Sequence, residues 1–578
     1  MDYLAWSKQL PTTPSPAFLE FIDDDTPLSR KLREKWLYAL AKDNNWTTYS
    51  EYYQDSKSVS LQCYAEFAHY QQHQVDSNAA KKIWLTGDNL PPACDKLFSV
   101  LIDRNIITND LILERIQLAL ENRNITLAKY LVAHAKLPEP YEKRTLELIQ
   151  KQPTRIASLT KSHLHSHYYL YGLKRLVSSN PKRAIAIFET TKTKNILNTD
   201  QKQAFLSHLA LYKALRNKPD AYQWFHQVNP DAYDEKLLDW QIRFALRSHE
   251  WARVKALIAL SSKKEESAWQ YWLARAEVAL GNQAAGDKIY QAIAEKRHYY
   301  GFLASTRLKQ PLAFEAEPAS HVNEILEEYQ PITETIQTLY TSHHRLDASR
   351  MANDFASELP KSKKSAFIGW LAKNLHWTGK AVYLSGDDDA LNNQLTLRFP
   401  LAHQKNIQKY AKKYDIPEAL IYAVIRQESA FRQDVISPVG AHGLMQIMPK
   451  TAQHIARKKH IPYKNTKALF IPDKNIELGT AYLNHLATRF QYNPLLMVAA
   501  YNAGPHQVNR WIKTHPLETE EIDIWIETLP WGETRNYLKS VMAFYAVYQY
   551  RLNHPNANLT AFMHQNLKLH KDFPKANQ

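Results

Sequence analysis

The apolar and polar positions of this chain follow the spacing of amphipathic helices over most of its length. From about residue 17 to 310, one helical segment follows another, with short polar breaks between them. Five segments end in Ala-Leu before a polar turn, and the last three, at residues 214, 245 and 279, lie 31 and 34 residues apart. This spacing is close to the period of tetratricopeptide-like helical hairpins. The pattern favours an α-superhelix built from helical hairpins, with unrelated helical pairs as the alternative.

Breaks in the helical pattern divide the chain into three predicted parts. Residues 310–320 contain two prolines and little periodicity, which indicates a linker. We therefore expect an α-superhelical domain at 1–320, a small helical linker domain at 321–394 and a third helical domain at 395–578. The aspartates at 387–389 lack the spacing of a calcium loop, so we interpret them as a solvated turn. Five tryptophans before the linker are predicted core anchors, with sugar stacking as the alternative: Trp224, Trp240, Trp251, Trp269 and Trp272.

One carboxylate in the third domain lies on the apolar face of a predicted helix at 416–431. Glu428 follows three apolar residues at the spacing of one helix face: Ile421, Val424 and Ile425. A carboxylate that faces a core relieves the cost of burial by a raised pKa, and a carboxylic acid protonated near neutral pH suits general-acid cleavage of a glycosidic bond. The alternative is a structural glutamate paired with Arg426 or Arg432. We expect Asp415 and Glu418 to form a capping box at the start of this helix.

Two motifs surround this carboxylate. Residues 427–431 read QESAF, and residues 437–449 read SPVGAHGLMQIMP. The second motif holds Gly440 and Gly443, in a chain with only 13 glycines among 578 residues. Clustered glycines in such a chain predict a loop whose backbone has positive φ angles or approaches a ligand closely.

These motifs resemble the signature of lytic murein transglycosylases that have a goose-type-lysozyme-like fold. Two further blocks match in order, at 500–504 (AYNAG) and 526–537 (IETLPWGETRNY). The long helical part before them narrows the resemblance to the soluble lytic transglycosylase type. The resemblance implies an all-α chain: an N-terminal α-superhelix closed into a ring or horseshoe, a helical linker domain and a C-terminal lysozyme-like catalytic domain.

The resemblance also implies a reaction and its catalytic residue. Glu428 would protonate the oxygen between N-acetylmuramic acid and N-acetylglucosamine, while the 2-acetamido group stabilises the anomeric carbon. The same carboxylate would then take the proton of the muramic 6-hydroxyl, which closes a 1,6-anhydro ring without water. One carboxyl group that acts first as an acid and then as a base needs no aspartate nucleophile. The reaction implies no metal or other cofactor.

The remaining motif residues are predicted to bind substrate. The set combines polar, thioether and aromatic side chains from the matched blocks: Ser437, Gln446, Met445, Met448, Tyr501, Asn502, Glu533 and Tyr537. Packing is the alternative for Met445 and Met448, and a surface ion pair with Arg535 is the alternative for Glu533. We expect Tyr501 to bond Glu428 or the acetamido oxygen. His442 occupies a variable position of the motif and receives no role.

Composition and charge narrow the partners. The net charge is +15, which fits nucleic acid, anionic membrane or an acidic polymer. Zinc-ligand spacing, a phosphate-binding loop and RNA-binding signatures are absent, whereas peptidoglycan carries stem-peptide carboxylates. We therefore expect a monomer that binds glycan strands, without nucleic acid and without an apolar stretch long enough to span a membrane. Other cell-wall enzymes are further candidate partners.

The two cysteines, Cys63 and Cys94, are compatible with a disulfide or with two inert buried thiols. The resemblance implies a disulfide in the N-terminal domain and hence a periplasmic protein. The first residues lack the basic and apolar pattern of a signal peptide, so we expect the sequence to represent the mature form.

Three rival functions remain open from the sequence. A hydrolysing goose-type lysozyme would need a second carboxylate to hold water, and Asp434 is the nearby candidate. An inactive lysozyme-like head on a helical scaffold would bind peptidoglycan or a partner enzyme. A basic solenoid that binds nucleic acid rests on charge alone. We further expect a ring or horseshoe to favour cleavage at strand ends.

Overall fold

The computed structural model describes residues 2–11, 13–72, 74, 77–135, 142–159, 165–314, 327–386, 391–514 and 521–553. These residues are predominantly helical, and their β structure is limited to isolated bridges such as Ile436 with His442. The prediction of an all-α fold is therefore confirmed. The chain forms two compact units, Met1–Leu237 and Leu238–Gln578. The predicted domain boundaries near 320 and 394 remain predictions.

The first unit consists of short helices in succession. Their bounds are α1 Asp2–Lys8, α2 Pro16–Asp23, α3 Pro27–Lys42, α4 Trp46–Tyr52, α5 Val59–Gln71, α6 Ser77–Trp84, α7 Asp95–Asp103, α8 Asn109–Glu121, α9 Ile125–His134, α10 Glu142–Lys151, α11 His165–Ser179, α12 Pro181–Phe188, α13 Thr191–Ile196, α14 Thr199–Leu215 and α15 Ala221–Phe225. A capping box of Asn198 and Gln201 begins α14. A disulfide joins Cys63 to Cys94, as the resemblance implied.

The helices from residue 235 onward continue the same pattern. Their bounds are α16 Glu235–Arg247, α17 Trp251–Leu260, α18 Ser267–Ala279, α19 Gln283–Ala294, α20 Tyr299–Arg307, α21 Gln330–Thr341, α22 Arg345–Glu358, α23 Lys361–Asn374, α24 Thr378–Gly386, α25 Leu395–Arg398, α26 Gln404–Tyr414, α27 Glu418–Glu428, α28 Pro449–Lys458, α29 Pro472–Arg489, α30 Pro494–Ala503, α31 Pro505–Thr514, α32 Ile522–Glu527 and α33 Gly532–Arg551. Residues 315–326 and 387–390, which hold most of the predicted linker and all three aspartates, lie outside the described residues.

Aromatic side chains fill the spaces between these helices. Of the five tryptophans predicted as core anchors, four are buried: Trp224, Trp240, Trp269 and Trp272. The fifth, Trp251, is half-buried and lies under the guanidinium of Arg275, 5.2 Å from its ring centre. Residues 327–386 have a core of their own, which includes Phe355, Phe367 and Trp370.

The helix that carries Glu428 begins differently from the prediction. Asp415 adopts a left-handed conformation (φ 53°) and ends α26 instead of capping α27. Pro417 is the N-cap residue of α27, and no side chain caps the helix there. The predicted capping box of Asp415 and Glu418 is therefore wrong, because the short connection between the two helices needs Asp415 to turn the chain. Helix α27 is buried along almost its whole length and packs against α33.

Candidate active site

The carboxylate of Glu428 lies at the end of the buried helix α27. Its side chain is half-buried, and its Oε1 accepts a hydrogen bond of 2.7 Å from the hydroxyl of Tyr537. Burial raises the pKa of Glu428 to about 7; the Tyr537 bond opposes this rise, and the negative charge of Glu533 adds to it. Glu428 is thus a carboxylic acid that holds and releases a proton near neutral pH.

Neither of the two arginines that offered a structural alternative pairs with Glu428 in the described part of the chain. Arg426 donates to the carbonyl of Arg398 at 2.8 Å, and its guanidinium lies over Phe399 and Phe544. Arg432 donates to the carbonyl of Ser429 at 3.1 Å. An ion pair would lower the pKa of Glu428, so the positions of these arginines preserve its acidity near pH 7.

The chain turns sharply directly after Glu428. Ala430 and Phe431 both have positive φ angles, 49° and 65°, which are unfavourable for residues other than glycine. Helix α24 packs against this turn through Gly379. A Cβ atom at Gly379 would lie 2.5 Å from Cγ of Arg432 and 3.1 Å from the carbonyl oxygen of Ala430. The missing side chain of Gly379 therefore lets α24 support the strained turn.

The variant Gly379→Ala tests this support. The added methyl group collides with the turn, so we expect a loss of about 1–3 kcal/mol in the free energy of unfolding. A shift of the turn also moves Glu428, so we expect activity to fall more than stability alone explains. The matched control is Gly386→Ala in the same helix, where the new Cβ would meet only Arg426 Nη2, at 3.5 Å. Urea denaturation and initial rates measure both effects, and equal behaviour of the two variants would contradict the prediction.

The glycine-containing loop after Glu428 has the backbone that its sequence predicts. Gly440 and Gly443 both have positive φ angles, 85° and 73°. At Gly443 a Cβ atom would also lie 2.2 Å from the carbonyl oxygen of Leu469 and 2.5 Å from Nδ2 of Asn475. The expected positive φ is confirmed for both glycines, whereas a close approach of this backbone to a ligand remains a prediction.

Asn475, a fully buried residue of α29 that was not predicted from the sequence, fixes this loop. Its Nδ2 donates to the carbonyls of His442 (2.9 Å) and Leu469 (2.8 Å), and its Oδ1 accepts from the amide of Met445 (2.8 Å). One side chain thus satisfies three backbone groups of two loop segments. The signal in the sequence was an asparagine among the apolar positions of α29. Such a position predicts a buried amide, and a buried amide needs hydrogen-bond partners.

Ser437 and Gln446 lie within the loop and bond its backbone. Ser437 Oγ accepts from the amide of Ala441 at 2.9 Å. Gln446 Nε2 donates to the carbonyls of Gly443 (2.8 Å) and Val435 (3.2 Å). Both side chains are half-buried. Their substrate contacts remain a prediction.

The two methionines of the motif have different environments. Met445 is fully buried and packs against Gly479, where a Cβ atom would lie 2.3 Å from the Met445 sulfur. For Met445 the structure therefore shows the packing alternative. Met448 is 39% exposed at the end of the loop, where an apolar contact to a sugar is sterically open. Its role as a sugar contact remains a prediction.

Tyr501, Asn502 and Glu533 come from the two later motifs. The hydroxyl of Tyr501 donates to the carbonyl of Met445 at 2.8 Å and not to Glu428, the first of its two predicted partners. A bond to the acetamido oxygen of the substrate remains a prediction. Burial raises the pKa of Tyr501 well above its usual value, and the nearby charge of Glu428 adds to this rise. Asn502 Nδ2 donates to Glu533 at 3.3 Å and its Oδ1 accepts from Thr534 at 2.7 Å.

The two further carboxylates considered near the site, Glu533 and Asp434, have different surroundings. Glu533 is exposed and does not pair with Arg535, whose Nη1 donates to the carbonyl of Leu529 at 2.6 Å. Asp434 is exposed and pairs with Arg345 at 2.6 Å. Among the described residues, Glu533 is the carboxylate whose charge raises the pKa of Glu428, whereas Asp434 forms an ion pair with Arg345 of α22.

Two buried carboxylates in the last motifs were not singled out from the sequence. Glu527 receives Arg243 Nη2 at 3.1 Å and Lys539 Nζ at 2.6 Å. Burial alone would raise its pKa, but these cations hold the pKa of Glu527 well below its usual range. Asp523, one turn earlier in α32, receives Arg275 Nη1 at 2.6 Å. Ion pairs thus bind α32, which leads into the Glu533 motif, to α16 and α18.

The described residues contain no cluster of histidine, cysteine or acidic side chains suited to a metal ion. Within the same residues, no helix is both long enough and apolar enough to cross a membrane.

Comparison with known proteins agrees with this geometry. Residues 405–524 match the family described as "Transglycosylase SLT domain". Lytic transglycosylase Slt of Pseudomonas aeruginosa, solved as an inactive glutamate-to-glutamine mutant, has a TM-score of 0.83 and 29% identity, over 96% of this chain and 92% of that one. The 70-kDa soluble lytic transglycosylase of Escherichia coli has a TM-score of 0.83 and 25% identity, over 98% and 93%. The α-helical region around Glu428 is thus similar to transglycosylase domains of the SLT class.

Similarity to one kind of protein extends along nearly the whole chain. The soluble lytic murein transglycosylase of Salmonella typhimurium is 27% identical, over 96% of this chain and 88% of that protein. The Escherichia coli protein of the same name is also 27% identical, over 95% and 87%. The chain is therefore a homologue of the soluble lytic murein transglycosylases, and the resemblance found in its motifs is confirmed.

Proposed function

We propose that this protein cleaves the β-1,4 bond between N-acetylmuramic acid and N-acetylglucosamine in peptidoglycan and forms 1,6-anhydro ends without water. The observation that carries this proposal is Glu428, a carboxyl group with a pKa of about 7 and no paired cation among the described residues. A group with this pKa donates a proton and accepts one at the same pH, which both halves of the reaction need.

The reaction runs in two proton transfers. Glu428 first donates its proton to the glycosidic oxygen, and the bond from that oxygen to the anomeric carbon breaks while the 2-acetamido oxygen of the muramic acid stabilises the carbon. Glu428 is then a carboxylate, and it removes the proton from the muramic 6-hydroxyl as the hydroxyl oxygen bonds the anomeric carbon. The carboxyl group ends the cycle protonated. The substrate itself supplies the nucleophile, so no water enters the products.

The neighbouring residues support both steps. Burial raises the pKa of Tyr537 well above its usual value, so its hydroxyl keeps its proton and donates to Glu428 in the anionic intermediate state. Glu533 acts in the opposite direction because its negative charge favours the protonated form of Glu428. Ser437, Gln446, Met448, Asn502 and Glu533 are the proposed contacts to the sugars.

Hydrolysis of the same bond is the less supported reaction. A hydrolase of this class needs a second carboxylate to position water. Asp434 is paired with Arg345, and Glu533 accepts a hydrogen bond from Asn502. Mass spectrometry of the muropeptides released from purified peptidoglycan separates the two reactions. We expect products one water lighter than those of lysozyme, and reducing ends would overturn the proposal.

The variant Tyr537→Phe tests the proposed proton balance. In the wild type, the hydrogen bond from Tyr537 lowers the pKa of Glu428. The variant lacks this bond, so the pKa of Glu428 should be higher in the variant. The first step needs protonated Glu428, so wild-type kcat/KM should fall as pH rises through about 7. In the variant this fall should move to higher pH. A pH–rate profile measures the shift. Tyr410→Phe is the control, because the hydroxyl of Tyr410 bonds Asp473 and not Glu428. A shift of the Tyr537→Phe profile to lower pH would contradict the mechanism.

We place the protein in the periplasm, where peptidoglycan lies. The Cys63–Cys94 disulfide supports an oxidising compartment. Fractionation of cells that produce the tagged protein tests this location, and a cytoplasmic protein with reduced cysteines would contradict it.

A further inference from the structure

A cluster of cationic side chains lies where α28 and α29 meet. Lys458 Nζ is 3.2 Å from Nδ1 of His485, and the ring of His454 is 6.1 Å from the ring of His485. Lys459 donates to Asn484, the neighbour of His485, at 2.8 Å. Arg489 follows one turn later in α29. We call His454, Lys458, Lys459, His485 and Arg489 the basic cluster.

The sequence segments that form the basic cluster contain no aspartate or glutamate. The sequence contains no aspartate or glutamate from residue 435 to 472, nor from 478 to 517. Among the described residues, Lys459 bonds the amide oxygen of Asn484, and Arg489 faces the amide of Asn509. Burial lowers the pKa of His485, and the positive charges of Lys458, His454, Arg489 and Lys459 lower it further. Like charges held this close repel one another, and a bound anion would relieve the repulsion.

Aromatic rings connect the basic cluster to the candidate active site. The rings of His485 and Tyr482 stack with their centres 6.5 Å apart. Tyr482 in turn contacts Tyr501, with 5.3 Å between ring centres. Tyr501 is close enough to Glu428 for that charge to raise its pKa. The cluster therefore lies two side chains from the catalytic carboxylate, while Lys458 and Arg489 are exposed to solvent.

We propose that the basic cluster is a subsite for the carboxylates of the peptide stems on a glycan strand held in the active site. This inference rests on the proposed function. Stems branch from the muramic acid, which is one of the two sugars joined at the cleaved bond, so a stem leaves the strand within reach of Glu428. Stem peptides carry free carboxylates, and exposed lysine and arginine side chains bind carboxylates. The subsite would favour strands with free stem carboxylates over peptide-free strands.

Matched variants and matched ligands test this subsite. Lys458→Gln with Arg489→Gln removes two charges from the cluster, and Lys405→Gln with Lys412→Gln removes two exposed charges from α26. Both double substitutions are made in the wild type and in the Glu428→Gln variant. We expect Glu428→Gln to bind strands without cleaving them. The ligands are fluorescent glycan strands with intact stems, with chemically amidated stem carboxylates, and without peptides. Affinity is measured by anisotropy at low and high salt, and cleavage rates are measured in parallel.

We expect the cluster variant to bind intact strands about five- to tenfold more weakly than the control variant, with a smaller salt dependence. Amidated and peptide-free strands should bind both variants equally. Equal affinity of the two variants for intact strands would overturn the subsite. Weaker binding of all three ligands would overturn it too, since the cluster would then act on the glycan or on the fold.

Two further outcomes separate the subsite from other readings. Loss of binding to anionic phospholipid vesicles, without a change for glycan strands, would overturn the subsite in favour of a membrane surface. If the wild type releases no product, the proposed reaction fails, whereas the binding comparison in the Glu428→Gln background still decides the subsite.

Discussion

Glu428→Gln is expected to lower the rate of muropeptide release by about a thousandfold or more. Glutamine has nearly the same shape but neither donates a proton to the glycosidic oxygen nor accepts one from the 6-hydroxyl. Both chemical steps lose their proton carrier, so the fall should appear in kcat with little change in strand affinity. Chromatography and mass spectrometry of digests of purified peptidoglycan measure it.

The control for this prediction is Asp434→Asn, which removes an exposed carboxylate six residues further along the chain. It should keep nearly the full rate because Asp434 pairs with Arg345 at the surface. Loss of activity in Asp434→Asn, with activity kept in Glu428→Gln, would reverse the assignment. Folding offers a second check. Because folding raises the pKa of Glu428, ionisation costs stability as pH rises toward 7, so Glu428→Gln should be the more stable protein above that pH.

Glu527→Gln is expected to lower the free energy of unfolding by about 3–5 kcal/mol. Glu527 is 2% exposed and binds Arg243 and Lys539, and the hydroxyl of Tyr300 also donates to it. A neutral amide would leave Arg243 with only Asp239, 3.6 Å from its Nη1, and would remove the carboxylate that pairs with the buried Lys539. The cost of an unpaired buried charge is much larger than that of a lost surface pair. Urea denaturation followed by circular dichroism measures the change.

Asp434→Asn is again the comparison, since it breaks an ion pair whose two partners are 48% and 58% exposed. Its expected cost is below about 1 kcal/mol because water solvates both charges. If the two variants destabilise the protein equally, then the ion pairs around Glu527 do not hold α32 in place.

Local features of the site were predictable because they depend on residues close in sequence. The position of Glu428 followed from the apolar residues three, four and seven positions before it. The positive φ angles of Gly440 and Gly443 followed from glycines that are rare elsewhere in the chain. The helices themselves followed from periodicity, since their apolar positions recur at helical spacing.

The partners of these residues were not predictable, since they come from distant parts of the chain. Tyr537 lies 109 residues after Glu428 and meets it because α27 packs against α33. Asn475 fixes the glycine-containing loop from another helix, and a motif match alone does not indicate such a contact. The expected capping box failed for a related reason: the turn between α26 and α27 sets the conformation of Asp415, and spacing does not reveal it.

The ion pairs of α32 determine where the chain can be shortened. Arg243, Arg275 and Arg307 all lie before residue 320, yet they neutralise Glu527 and Asp523 beyond residue 520. A fragment that starts after residue 320 would carry two carboxylates stripped of these arginines, next to the segment that bears Glu533. If this fragment did not cleave glycan ends, damage to the catalytic region would explain the result as well as loss of the superhelix would. A fragment that starts at residue 238 keeps these arginines, so it is the suitable fragment for testing whether residues 1–237 contribute to the expected preference for strand ends.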